Sequence, residues 1–154
     1  MELMVVVAII AILIAASMPV FRSFARGRNL RAGSDMVMSA LRKSREAAIT
    51  YRKHYRAVLD TVNQAVGIYL NENGVDTVSE NWQKLPEFVK FDDSTSDWKL
   101  STSFSYPPGG DIYWIEFKPN GGCTANASII LLEESTSDTK RITFNSLTGR
   151  VTVE

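Results

Sequence analysis

A carboxylate stands at position 2, directly against an apolar run. Residues 3–21 follow Glu2 as nineteen positions without a charge. An unpaired carboxylate in lipid costs about 3 kcal/mol or more, so Glu2 needs a cation or must take up a proton. The first basic side chain after it is Arg22. Twenty helical residues separate the two, about 30 Å. The partner of Glu2 must therefore come from elsewhere.

The other residues that could do chemistry read more plainly. His54 is the single histidine. Beside Tyr55 at a helix end, it reads as a surface or capping residue rather than a general base. Asp92-Asp93-Ser94-Thr95-Ser96-Asp97 lacks the alternating Asp/Asn positions and the Gly of a calcium loop, and reads as a solvated turn. Cys123 is the only cysteine, so it forms no intrachain disulfide, and no CxxC or His cluster offers a metal site. After Gly121-Gly122 it reads as a small turn or strand-edge residue. GxSxG, HExxH, GxxxxGK[ST] and GxGxxG are absent. No catalytic residue, metal or cofactor is expected, and neither is an enzyme.

Three elements must position these residues. Residues 1–21 form the apolar, transmembrane part of an N-terminal helix, 22–55 an amphipathic stem helix, and 56–154 a β-rich globular head. The head has room for one compact domain, which excludes a multidomain enzyme. A hydrophobic fraction of 45% argues against disorder. The net charge of zero hides an asymmetry: residues 1–56 carry +7 and residues 57–154 carry −7. Opposite halves suit head-to-stem packing, head-to-tail association or an anionic partner, as well as a solvated stem.

Residues 3–21 are apolar all round, so a helix there needs an apolar solvent. Their helical length of about 28 Å is close to the hydrocarbon thickness. Pro19, near the end of the run, removes a backbone hydrogen bond and permits a kink. From Arg22 onward, Leu30, Val37, Leu41, Ala48, Tyr51 and Tyr55 recur at helical spacing, with Gly33, Ser34 and Ser44 as small fillers. Arg31, Asp35, Arg42, Arg45 and Arg52 take the opposite face. The helix is expected from near residue 3 to about 53, loosened at Pro19 or Gly27. Leu41, Ala48 and Tyr51 are expected against strands bearing Trp114, Ile130, Ile142 and Val151.

Beyond Tyr55 the period changes to that of strands. Residues 56–60 and 65–70 read as a hairpin closed by 71–74. Further strands are expected at 87–91, 98–106, 112–117, 127–133, 141–145 and 150–153. The head is antiparallel β, with the stem covering one sheet face.

The string Met1-Glu2-Leu3-Met4-Val5-Val6-Val7-Ala8-Ile9-Ile10-Ala11-Ile12-Leu13 resembles the start of a type IV pilin or type II secretion pseudopilin. Glu2 matches the glutamate of that family's mature N-terminus. The leader and first mature residues are absent here, so a trimmed or internally started version is expected. Leu41-Arg42-Lys43-Ser44-Arg45-Glu46-Ala47-Ala48-Ile49 resembles a stretch of the FimT/GspH-type minor pseudopilins. So do Phe117-Lys118-Pro119-Asn120-Gly121, Ile129 to Leu132, Arg141-Ile142-Thr143-Phe144 and Thr148-Gly149-Arg150-Val151. Residues 71–111 carry little of the likeness and are the expected partner-specific surface.

The resemblance implies an α+β, pilin-like fold. It implies a structural subunit at or near the tip of a type II secretion pseudopilus or type IV pilus. The precursor would be a prepilin peptidase substrate, with methylation of the new N-terminus. Its partners would be other pilins or pseudopilins, met through the N-terminal helix, and the bacterial inner membrane, with the head extracytoplasmic. Glu2 and Pro19 are the assembly residues so implied. The alternative is a DNA-binding minor pilin of a competence pilus, because some similar members carry a C-terminal Gly-Arg-x-Arg motif. Here Gly149-Arg150-Val151-Thr152 keeps the first Arg only, and the acidic head argues against tight phosphate binding.

Overall fold

The computed structural model describes residues 2–92, 112–124 and 126–154; within the N-terminal helix, side chains are described for 4–14 and from 28 onward. One helix, α1 (Glu2–Tyr51), precedes eight strands: β1 (His54–Asp60), β2 (Ala65–Glu72), β3 (Val75–Lys84), β4 (Val89–Phe91), β5 (Ile112–Phe117), β6 (Ala127–Glu133), β7 (Thr139–Phe144) and β8 (Val151–Val153). The strands form two antiparallel sheets of four. The first has the order β3-β2-β1-β5 and the second β4-β6-β7-β8. The fold is α+β, with a long helix on an antiparallel β head. The strand expected at 98–106 lies outside the described residues.

α1 has 50 residues. Its assignment is continuous through Pro19 and Gly27, where the sequence expects it to loosen. It stops because Arg52 turns into the left-handed region (φ 53°), a conformation that ends helices. The stripe is the expected one over most of its length. Leu30, Gly33, Ser34, Val37, Leu41, Ser44 and Ala48 are buried, while Arg31, Asp35 and Arg42 are exposed. The small fillers stay satisfied inside the core. Ser34 Oγ donates to the Arg31 carbonyl at 2.8 Å, and Ser44 Oγ to that of Ala40 at 2.9 Å. A Cβ at Gly33 would stand 3.0 Å from Val89 Cγ1, so the bare α-carbon lets the helix approach β4 closely.

Both sheets and the helix share one core. Ala57 and Leu59 of β1, Val66 and Ile68 of β2, Phe91 of β4, Ile115 and Phe117 of β5, Ile129 and Leu131 of β6, and Ile142 and Phe144 of β7 meet the helix stripe there. A second cluster holds Val58, Tyr69 and Ile112 with Trp82 and Trp114.

One packing expectation needs correction. Tyr51 is 65% exposed, because it is the last helical residue and its ring leans on Tyr55 at 6.1 Å instead of entering the core. The strands bearing Trp114 and Ile130 do meet the helix, through Ile115, Phe117, Ile129 and Leu131; Trp114 itself belongs to the second cluster, on the opposite face of β5. Ile130 is buried but points away from the helix. Strand alternation gives that face to Ile129 and Leu131.

Turn chemistry closes the hairpins. In the β1–β2 loop, Asp60 Oδ1 accepts from the amides of Val62 (3.0 Å) and Asn63 (2.8 Å). The β2–β3 turn is Asn73-Gly74, both at positive φ (54° and 84°), as a tight hairpin requires. β3 is the one strand among the described residues that the sequence did not suggest. It is a sheet edge with most side chains in solvent, so it carries no apolar alternation. It lies within residues 71–111, of which 93–111 are outside the described residues.

Candidate functional site

The two residues expected to serve assembly lie far from the head along α1. Glu2 and Pro19 both fall on the backbone of α1, and their side chains are outside those described. Between them, the side chains at 4–14 have no cover. Met4 is 80% exposed and Ile12 68%, with Val5, Val6, Val7, Ile9, Ile10, Leu13 and Ile14 also exposed. Among the described residues, no helix is long and apolar enough to cross a membrane.

Arg150 is in the head, exposed, just before β8. It does not stand alone. It lines a groove of about 920 Å³ between α1 and β8, with Met38, Arg42, Arg45, Glu46 and Ile49 on the helix side. Three guanidinium groups thus face one carboxylate. Sequence reasoning singled out Arg150 and missed its meeting with the other two, which it placed on the stem face opposite the apolar stripe. A signal was present in Leu41-Arg42-Lys43-Ser44-Arg45, which carries part of the resemblance.

The floor of the groove is a clasp. Arg45 Nε donates to the Gly121 carbonyl at 3.0 Å. Gly121 and Gly149 both have positive φ (83° and 61°). A Cβ on Gly149 would fall 2.1 Å from the Gly121 oxygen and 2.8 Å from Arg45 Nε. Only a glycine leaves space there. The stretches 41–49, 117–121 and 148–151, distant in sequence, therefore meet at one point. Cys123 closes the region behind them. It is buried, bridges to Phe117, and its thiol faces the Asn145 carbonyl at 3.5 Å.

A second charged constellation sits on the first sheet. Arg56 Nη1 donates to Asp76 Oδ2 at 2.7 Å and Nε to Glu116 Oε2 at 2.9 Å, while its guanidinium carbon stands 4.3 Å from the Trp114 ring centroid. His54 Nδ1 lies 2.9 Å from Glu116 Oε1. His54 is thus an exposed strand residue paired with a carboxylate. Burial pushes the Glu116 carboxyl up, but the hydrogen bonds and charges of Arg56 and His54 outweigh it and hold it below the ordinary carboxylate value. For Asp76 the balance falls the other way: burial dominates and raises it despite Arg56. The arrangement neutralises charge around one cation and presents no nucleophile beside a base.

Of the expected acidic cluster, Asp92 is described and half-buried; its amide donates to the Ile130 carbonyl at 2.8 Å. Residues 93–97 are outside the described residues.

The fold has solved counterparts. The type IV minor pilin FimU of Pseudomonas aeruginosa superposes with a TM-score of 0.61 at 12% identity, over 85% of this chain and 92% of FimU. The minor pseudopilin EpsH of the Vibrio cholerae type II secretion system does so at 0.59 and 12%, over 84% and 94%. No family model matches the chain, and no curated protein sequence does. The chain has the pilin-like fold of a minor pilin or pseudopilin.

Proposed function

We propose that this chain is a minor pseudopilin, a structural subunit assembled at or near the tip of a type II secretion pseudopilus or type IV pilus, where it supports protein export or pilus assembly. The observation that carries the reading is a single helix with two environments. Its C-terminal half packs on a β head, and residues 4–14 leave an apolar surface bare on every side. Such a surface needs lipid, or the helices of neighbouring subunits, as its solvent. Residues 1–21 hold the chain in the inner membrane as a single pass, with the head outside the cytoplasm. Prepilin peptidase matures the precursor. In the filament, Glu2 finds its cation on another subunit or on its own methylated N-terminus, and Pro19 lets the helix adjust.

The test is crosslinking of the full-length, leader-bearing form to other pilin-like subunits in a membrane. Glu2→Ala makes the anchor more apolar, so it should insert and fold, yet crosslink poorly. Unchanged crosslinking would leave a plain anchor.

A second reading, a DNA-binding minor pilin of a competence pilus, gains from Arg42 and Arg45 standing beside Arg150. The −7 charge of residues 57–154 opposes it. A micromolar complex of the detergent-solubilised chain with duplex DNA at physiological salt, lost in Arg150→Ala, would favour it over the export role.

A further inference from the structure

The groove between α1 and β8 has a strand edge as one wall. Among the described residues, β8 is the outer strand of the second sheet and pairs only with β7. The register fixes which of its peptide groups point where. Arg141 and Glu154 exchange both of their N–H···O bonds (3.1 and 2.8 Å), and Asn145 N donates to Arg150 O at 3.1 Å. Residues 150, 152 and 154 therefore turn their peptide groups toward β7. By alternation, Val151 and Val153 turn theirs the other way. Among the described residues, none bonds the N–H or C=O of Val151 or Val153 on that side. Both residues line the groove.

An open strand edge in a groove accepts an added strand about 4.8 Å away, bonded through the main chain. The charges of the walls select what is added. Arg42, Arg45 and Arg150 face only Glu46, and no described ion pair uses any of the three cations. Another edge, β3, is defended differently. Its pairing with β2 has register shifts at Val66/Ile68 and Ile68/Tyr69, and its Asp76 and Glu80 are already paired with Arg56 and Lys43.

We propose that the α1–β8 groove is a strand-addition site for an acidic, extended segment of another protein chain. The segment pairs its backbone with Val151 and Val153 and sets its carboxylates against Arg42 and Arg150. Arg45, held by the Gly121 carbonyl, forms the floor. A nucleic acid would use the same cations but has no use for two outward peptide groups, which is why a polypeptide is favoured. The site stands whichever machine the subunit serves.

The experiment uses the full chain in detergent micelles. The probes are a short synthetic peptide alternating glutamate and valine, the same peptide with lysine for glutamate, and a single-stranded oligonucleotide of equal charge to the first. The acidic peptide should bind, the lysine peptide should not, and the oligonucleotide should bind more weakly. Arg42→Glu and Arg150→Glu should each weaken the acidic peptide about tenfold. Val153→Pro removes only the groove-side donor, since that N–H is not part of the β7 pairing. It should weaken the peptide about tenfold and leave the oligonucleotide unaffected. In the unaltered chain the peptide should slow hydrogen exchange at the Val151 and Val153 amides, a measurement that decides the matter even where Val153→Pro fails to fold. Absence of acidic-peptide binding, unchanged exchange at those two amides, or a preference for the oligonucleotide would each overturn the proposal.

Discussion

Residues 4–14 and residues 28–51 belong to one helix, yet they meet their surroundings by different rules. In the second stretch one stripe is buried, with Val37, Leu41, Ser44 and Ala48 inaccessible, and charges fill the opposite face. In the first, every large side chain is at least half bare. Backbone geometry is the same in both, so hydrogen bonding within the helix does not separate them. The second stretch has its partner inside the chain, and the first must find one outside it. One half therefore holds the head, and the other presents an apolar surface.

The largest effect that would sharpen this contrast is in the stripe. Leu41 is fully buried where the helix meets the shared core. Leu41→Ala should lower the unfolding free energy by about 3 kcal/mol, read from denaturant melts. A loss near zero would mean that the helix lies on the head without holding it. Next comes Gly149→Ala, whose new Cβ meets a backbone oxygen and the Arg45 guanidinium in a left-handed turn. A loss of about 2 kcal/mol is expected. Gly74→Ala, also at positive φ but with nothing within 4 Å, should cost about 1 kcal/mol and isolates the share due to the clasp.

A smaller effect depends on pH. The folded-state pKa of Glu116 is depressed. Its contribution is complete above the unfolded carboxylate value of about 4.3 and is lost as pH falls through the folded value. Glu116→Gln should therefore be about 1 kcal/mol less stable than the parent at neutral pH, with the two converging as the medium is acidified toward pH ~3. Asp76 has the opposite sign. Its folded pKa is raised, so its ionised form weighs against the fold above that value, and acidification relieves it. Curves that stay parallel on acidification would show that the Glu116 charge adds nothing to the fold. The smallest effect is Ile9→Ser, which should leave head stability within about 0.5 kcal/mol while impairing membrane retention in a fractionation assay. A larger change in the melt would show that the bare stretch is coupled to the head.

What was readable in the sequence follows from the range of each signal. The stripe from Leu30 to Ala48 and its small fillers were legible because helix periodicity is local. Strands that read as unbroken apolar runs, such as Ala127–Glu133, were equally plain. Val75–Lys84 was not, because an edge strand has no buried face to mark it. Which face of a strand meets the helix was also hidden. Trp114 and Ile130 are apolar, but a residue's place in the alternation assigns it to one side, and only the pairing of distant strands says which side is inside. The groove needed the most. Arg45, Gly121 and Gly149 are brought together by three separate chain crossings, and nothing local links them. Arg150 was found through a resemblance, its companions only through the fold.

The attachment of α1 to the head has two close approaches, Gly33 against Val89 and Arg45 against the Gly121 carbonyl. They are twelve residues apart, about 18 Å along the axis, whereas Glu2 lies about 46 Å beyond Gly33. The helix is thus a lever with a short arm in the head and a long arm outside it. A shift of about 0.5 Å at Arg45, pivoting at Gly33, moves the far end by about 1.3 Å if the helix stays straight. The width of a glycine hydrogen at position 149 is in this way read out, magnified, at the opposite end of the molecule.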